Sequence, residues 1–265
     1  MVTTRKPATT NRTVDRALDV LFALLHSERP LGLGEVGAAC RLAPSTTHRL
    51  LSSLVGRNLA AQDPDTGHYR LGLGLLAFAH AILNRLDVRE AATPALNELA
   101  ELTRETIHLA VLDDLELVYV DRRDTPYAIR LNTSIGRRTT PHTTGVGKAL
   151  LAFAAPGVLE RYLERVPLTP KTRRSITSPQ QLVRELCRTR ERGYALDDQE
   201  DKPHIRCIGA PVLGADGHAV AAVSISVPDS RHTLASLQRW APDLLQRTRN
   251  VSLAMGYRAP GSERG

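Results

Sequence analysis

Between Leu33 and Arg70 the spacing of apolar positions changes period twice. Leu33, Val36 and Cys40 fall on one side of a short helix, and Leu42-Ala43-Pro44 ends it. Thr47, Leu50, Leu51 and Leu54 then recur at i, i+3, i+4 and i+7, which predicts an amphipathic helix from Ser45 to Val55 with Ser45 as its N-cap. Gly56-Arg57-Asn58 stops that helix. Leu59 to Gln62 and His68 to Leu71 read as two strands around a turn at Asp63-Pro64-Asp65-Thr66-Gly67. Helix, turn, helix and hairpin together describe a winged helix-turn-helix.

The flanking segments fit around this unit. Thr13 to His26 has Val14, Ala17, Leu18, Leu21 and Leu25 on one face, expected to pack beneath the other two helices, with Thr13 as its cap. Residues 1–12 are polar and carry Arg5, Lys6 and Arg12, and they read as a disordered basic arm. The segment 72–87 is apolar almost all round, through Leu75, Leu76, Phe78, Ala79, Ile82, Leu83 and Leu86. Such a helix needs cover. It reads as a linker that pairs with a second subunit, against the alternative of burial in its own chain.

From Val88 the texture changes. Val88 to Arg104 is an amphipathic helix, interrupted or restarted at Pro94. Thr106 to Leu112 and Leu115 to Arg122 form a hairpin, and Ile129 to Asn132 a further short strand. Thr143 to Gly147 opens a helix over Lys148 to Ala155, Pro167 to Ser178 is a loop, and Pro179 to Arg192 is a helix ended by Gly193. Ile208 to Leu213 and Ala219 to Val227 are strands joined at Ala215-Asp216-Gly217, and Leu234 to Gly256 is a last helix with a break at Pro242. This order predicts an α+β domain over 88–257, with helices on an antiparallel sheet, between the winged helix-turn-helix at 13–71 with its linker and a flexible tail at 258–265.

Charge narrows the partners. The chain of 265 residues carries a formal +7. The first 86 residues hold 10 Lys+Arg against 6 Asp+Glu, so the basic excess per residue is greater at the N-terminal end. That suits a polyanion. The exposed side of the second helix of the motif carries Ser45, Thr46, Arg49, Ser52 and Ser53 and no carboxylate that would meet phosphate repulsion. The expected DNA-contact set is Ser45, Thr46, Thr47, His48, Arg49, Ser52, Arg57 and Arg70. Cys40, Cys187 and Cys207 form no pair at metal-ligand spacing, so neither a metal, a cofactor nor a disulfide framework is expected. No signal-peptide pattern opens the sequence, and no apolar run approaches the roughly 20 residues needed to span a bilayer. A soluble cytoplasmic chain with no membrane partner is expected.

Three features bear on small-molecule chemistry. Gly145-Val146-Gly147 leaves backbone N–H groups at a helix start, which is either an anion site or a plain cap. It is not a phosphate-binding P-loop, because Gly147-Lys148 lacks the following Ser or Thr. Ser224 and Ser226 alternate with Val223, Ile225 and Val227, so both serines share a sheet face that is either the solvent side or a polar pocket. Asp197 reads as a loop acid or as an acceptor for a ligand hydroxyl. Cys207 offers a nucleophile with no base beside it in sequence.

These segments in order resemble the IclR family of bacterial transcription regulators. The resemblance rests on TVDRALDVLFAL, LGEVGAACRLAPSTTHRLLSSLVGRNL and TGHYRLGLGLL, then on ETIHLAVLDDLELVYVDR, HTTGVGKALLAF, RERGYALDDQE, IRCIGAPV and AVAAVSISVP. It implies a PAS/GAF-like effector domain, and homodimers or homotetramers that bind double-stranded, pseudo-palindromic DNA. It also implies an effector site at Gly145, Val146, Asp197, Cys207, Ser224 and Ser226, with Ala128, Leu131, Thr139 and Ile205 as its walls. His204 stands where the family usually has Gly, a departure expected to narrow or recharge the pocket mouth. The reading is a ligand-responsive regulator, a repressor, whose effector is a small carboxylic acid and which is not an enzyme. Its alternatives are a Cys207-dependent enzyme and a ligand-independent DNA binder.

Overall fold

The computed structural model describes residues 11–78, 87–128, 131 and 133–258. The chain divides into two compact units, Met1–Arg85 and Leu86–Gly265.

In the first unit, α1 (Arg12–Leu25), α2 (Leu33–Cys40) and α3 (Pro44–Val55) precede a two-stranded wing, β1 (Ala60–Gln62) and β2 (Tyr69–Leu71). The core is Val20 and Leu24 of α1, Val36 of α2, Leu51 and Leu54 of α3, and Ala60 and Tyr69 of the wing. Gly37 lets α2 and α3 approach. A β-carbon there would lie 3.1 Å from Thr47 Oγ1 and 3.2 Å from the Leu42 carbonyl. The wing pairs Ala60 with Leu71 and Gln62 with Tyr69. Asp63 Oδ1 nucleates its turn by accepting the backbone N–H groups of Asp65 and Thr66.

Several expectations need correction. Asn11 caps α1, its side chain accepting the Thr13 N–H, so Thr13 lies inside the helix. Ala43 is the N-cap of α3 and Pro44 its first residue, so Ser45 is already helical. The face of α1 assigned to the core points elsewhere. Val20 and Leu24 are buried, while Val14, Leu18, Phe22 and Leu25 are 47–55% exposed. Two apolar stripes share this helix, and periodicity could not say which one the small unit covers. Beyond β2, Leu73, Leu76 and Phe78 are exposed, and the rest of the expected linker helix, with Ile82 and Leu83, lies outside the described residues, as does most of the basic arm.

The second unit is built on one six-stranded antiparallel sheet in the order β5-β4-β3-β8-β7-β6. Its strands are β3 (Thr106–Asp113), β4 (Glu116–Arg123), β5 (Arg138–Thr139), β6 (Ala195–Asp198), β7 (Ile205–Leu213) and β8 (Ala219–Pro228). Its helices are α4 (Asp87–Thr103), α5 (Gly145–Ala152), α6 (Val158–Arg165), α7 (Pro179–Arg192), α8 (Leu234–Gln238) and α9 (Ala241–Ala254). One sheet face presents Ile107, Leu109, Ile208, Ala210, Val223 and Ile225 to α4 and α9. The other is covered by α5, whose residues are all buried because α6 and α7 pack on its far side through Leu151, Tyr162, Leu182 and Leu186.

Pro94 does not interrupt α4, which runs unbroken. Burial of Val88, Ala92, Ala95, Leu96 and Leu99 outweighs the one hydrogen bond lost. The strand expected at Ile129–Asn132 lies mostly outside the described residues, and a two-residue strand forms at Arg138–Thr139 instead. Asp197 is not a loop acid. It sits on β6, a strand with no counterpart in the apolar pattern.

Candidate functional site

The exposed side of α3 presents Ser45, His48, Arg49 and Ser52, with Thr46 half-buried. Arg57 is exposed just past the helix and Arg70 on the wing. Thr47 does not belong with them. It is fully buried, its hydroxyl donating to the Ala43 carbonyl at 3.1 Å. Threonine's size and polarity suit either face of a helix, so spacing alone does not assign it.

On the α5 side of the sheet, register builds a polar patch. Asp197 of β6 stands opposite Cys207 of β7, which stands opposite Ser226 of β8 and then Thr106 of β3. The next row is Gly209, Ser224 and His108. Directly paired residues point to the same face, so these side chains converge. Gly209 admits the start of α5, since a β-carbon there would lie 2.6 Å from the Val146 nitrogen. Thr144 caps α5 with its hydroxyl on the Gly147 N–H at 3.0 Å. The N–H groups of Gly145 and Val146 are thus left over from the helix's own bonding, with that of Val146 turned to the Cys207 sulfur.

A cavity of about 30 Å³ opens here. Its lining includes Val146, Asp197, Ile205, Cys207, Ser226 and Leu131. Gly145 lies against the Cys207 sulfur, and Ser224 sits one row away, 1% exposed, its hydroxyl turned to that sulfur and without an oxygen or nitrogen partner among the described residues. Two expected wall residues are elsewhere. Ala128 is exposed and does not line the cavity, and neither does Thr139, which accepts a hydrogen bond from Lys171 Nζ at 2.5 Å. Both follow β4, where register cannot be counted without knowing where the chain rejoins the sheet.

His108, Tyr119, Thr133, Thr144, Asp201 and Lys202 also line the cavity and were not anticipated. The even spacing of Thr106 and His108 on β3 is the signal for one of them, once β3 is known to neighbour β8. His108 Nε2 meets Thr133 Oγ1 at 2.7 Å, and its Nδ1 meets Ser226 Oγ at 3.4 Å. Burial lowers the His108 pKa to about 3, so the ring is neutral at pH 7.

Charge beside the cavity is strongly organised. Lys148, 1% exposed on α5, pairs with Glu200 Oε1 at 2.6 Å. The Glu200 N–H donates to Asp197 Oδ1 at 2.6 Å. Burial, reinforced by Glu200, holds the Asp197 carboxyl well above the usual carboxylate range. Burial pushes the Cys207 thiol up to about 11.

Two family profiles cover most of the chain: the IclR helix-turn-helix domain at residues 13–64, and the bacterial transcriptional regulator IclR C-terminal domain at residues 80–253. The chain belongs to the IclR family. It is a DNA-binding transcription regulator of that family. It is 36% identical over 253 residues to the HTH-type transcriptional regulator BhcR of Paracoccus denitrificans, covering 96% of this chain and 90% of that one. It is 30% identical to the transcriptional repressor IclR of Escherichia coli, covering 95% of both. The crystal structure of Thermotoga maritima IclR superposes with a TM-score of 0.81 at 29% identity, covering 94% of this chain and 100% of that one. Among the described residues no helix is long and apolar enough to cross a membrane.

The structure explains the IclR position at which this chain has His204. The residue has φ 63°, a left-handed backbone that glycine adopts freely and that costs other residues roughly 1–2 kcal/mol. Gln199 Oε1 accepts the His204 N–H at 3.1 Å, and the ring meets Asp229 Oδ2 at 3.2 Å. The side chain is 82% exposed and is not among the residues that line the cavity, so it does not narrow it.

Proposed function

We propose that this IclR-family regulator is a repressor whose effector is a small organic acid bearing a hydroxyl or keto group. The observation that carries the reading is the buried Ser224 hydroxyl, which has only the weakly accepting Cys207 sulfur beside it, next to the N–H groups of Gly145 and Val146 that α5 does not use. Sulfur is a weak acceptor, so a buried donor left to it gains when a stronger acceptor arrives, and a carboxylate would accept from all three. Asp197, whose carboxyl burial holds above the usual carboxylate range, keeps its proton to higher pH than an exposed carboxylate and is the group placed to meet a keto or hydroxyl oxygen. The walls as they stand favour small acids: a cavity of roughly 150 Å³ suits benzene, against about 30 Å³ here.

DNA binding would use the exposed Ser45, His48, Arg49 and Ser52 of α3, with Arg57 and Arg70 on phosphates. Linkage then requires that the acid weaken DNA binding by the same factor as DNA weakens acid binding. A nucleophilic role for Cys207 is disfavoured, because burial pushes its thiol up to about 11 and so keeps it protonated at neutral pH.

Operator sites selected from random duplexes, with calorimetry against glycolate, lactate and pyruvate, test both halves on the full chain. Arg49→Ala is expected to weaken operator binding by roughly tenfold or more and leave acid binding intact. Ser224→Ala with Ser226→Ala should abolish acid binding and leave operator binding intact. Unchanged acid affinity in the double variant would show the pocket to be misplaced.

The half-exposed Val14, Leu18, Phe22 and Leu25 of α1 support a homodimer through the first unit, with two-fold symmetry matching a pseudo-palindromic operator. Leu18→Glu with Phe22→Glu should sediment as monomer, and an unaltered oligomer would remove this stripe from the interface.

A further inference from the structure

His108 stands between the serine pair and the chain beyond β4. It is 1% exposed on β3, lines the cavity, and pairs across the sheet with Ser224. Both ring nitrogens meet hydroxyls: Nε2 meets Thr133 Oγ1 at 2.7 Å, and Nδ1 meets Ser226 Oγ at 3.4 Å. Turning the ring over would set carbon atoms against both hydroxyls. Tyr119 holds the ring on a further side, its centroid 4.9 Å away and its plane tilted by 49°.

A neutral imidazole has one N–H and one bare nitrogen, so one hydroxyl donates to it and the other accepts from it. The distances decide which. At 2.7 Å the Thr133 contact has the length of a hydroxyl donor and lies at the short limit for a ring N–H. Thr133 therefore donates to Nε2, and the ring proton sits on Nδ1, facing the Ser226 oxygen. A Ser226 oxygen that accepts from the ring aims its own hydrogen elsewhere. In the other directions lie the Cys207 sulfur, with which Ser226 hydrogen-bonds, and the cavity. The opposite tautomer would draw that hydrogen to Nδ1 and turn oxygen lone pairs toward the cavity, where they repel an anion.

We propose that His108 is a positioning residue of the effector site, carrying its ring proton on Nδ1 so that the Ser226 hydroxyl donates into the cavity. This rests on the reading of the cavity as an acid site, and it adds selection by the kind of polar group the ligand presents. With the Ser224 and Ser226 hydroxyls and the Gly145 and Val146 N–H groups all donors, the site suits a carboxylate, which only accepts. It disfavours the isosteric carboxamide, whose NH2 would meet a donor. Thr133 is the outer support. Its backbone N–H donates to the Leu131 carbonyl at 2.9 Å, and Leu131 lines the cavity. The residue that fixes the ring therefore also ties down a wall.

Nitrogen NMR on the histidine-labelled full chain reads the tautomer, with the His108 ring identified as the signal missing from His108→Asn. The Nδ1–H form is expected at pH 7. Calorimetry with glycolate and its isosteric amide, glycolamide, reads the consequence. Glycolate should bind at least about tenfold more tightly in the parent, the effect of one charge-assisted contact. Thr133→Val leaves Nε2 without its donor, so both tautomers should populate and the preference should narrow. Asparagine sets an N–H near the place of Nδ1, so His108→Asn should keep the preference, whereas His108→Leu should lose it and still bind the operator. An Nε2–H ring in the parent, or equal affinities there, overturns the proposal and leaves the acid site standing. So does a preference that survives in Thr133→Val, or one lost equally in His108→Asn and His108→Leu, since the ring would then act by shape alone. If His108→Leu fails to bind the operator it has lost its fold, and the tautomer with Thr133→Val decides. No binding of glycolate, lactate or pyruvate by the parent overturns both this proposal and the acid site.

Discussion

Lys148→Met is expected to destabilise the effector domain by about 3–5 kcal/mol, the usual cost of removing one partner of a buried ion pair. Lys148 is 1% exposed, and Glu200, its partner at 2.6 Å, already has one carboxylate oxygen buried without a hydrogen bond. Methionine fills most of the volume but leaves Glu200 alone in a low-dielectric site. Burial already holds the Glu200 pKa above the usual range, against the pull of Lys148. Without the lysine it rises further. A raised carboxyl contributes stability that is complete below its unfolded pKa and is lost as pH rises through its folded value. The variant should therefore suffer less at pH 5 than at pH 8, and adding Glu200→Gln should recover most of the loss. Urea denaturation across that range measures it. A loss below about 1 kcal/mol, independent of pH, would mean that the pair is solvated and not buried. Acid binding should weaken too, because the Glu200 N–H that orients Asp197 moves with its side chain.

The second large effect is acid lability from buried neutral histidines. Burial depresses His108 from 6.5 to about 3 and His142, which bonds Tyr162 at 2.6 Å, from 6.5 to about 4. A depressed histidine contributes stability that is complete above its unfolded pKa, because the unfolded chain takes up a proton that the folded chain refuses. This contribution is lost as pH falls from 6.5 toward the folded value. By pH 4.5 the loss from His108 should reach roughly 2–3 kcal/mol, at about 1.4 kcal/mol per pH unit. Asp197 and Glu200 act in the opposite direction, so the parent's own pH curve mixes signs. The difference between parent and His108→Asn isolates the histidine. Any stability advantage of the parent at pH 7.5 should shrink by that amount at pH 4.5. A difference that does not vary with pH would place His108 in contact with water.

Legibility in the sequence followed the range of the interaction concerned. α7 could be read from its own residues, with Ser178 accepting at its start and Gly193 at φ 82° ending it. The β7–β8 hairpin was equally legible, because its turn and its alternation are adjacent. β6 was not. Its four residues, Ala195 to Asp198, include two aspartates and owe their extended form to pairing with β7. Pro94 misled because local propensity was outweighed by packing against a sheet that lies far off in sequence. The resemblance placed Gly145, Val146, Asp197, Cys207, Ser224 and Ser226 in one neighbourhood, whereas His108, Thr133 and Lys202 entered only with the strand order.

By itself, the sequence determined the winged helix-turn-helix, the polar face of α3 and the helix start at Gly145. Each is carried by residues within a few turns of one another, where capping, turn chemistry and periodicity act directly. Tertiary structure decided the rest. It buried Thr47 against Gly37, and it turned one of the two apolar stripes of α1 outward. It placed Ser224 and Ser226 on the covered face of the sheet and set α5 on Gly209. Alternation assigns a side chain to one of two faces, but which face is dry depends on which helix packs there. That choice is made by contacts between segments tens of residues apart.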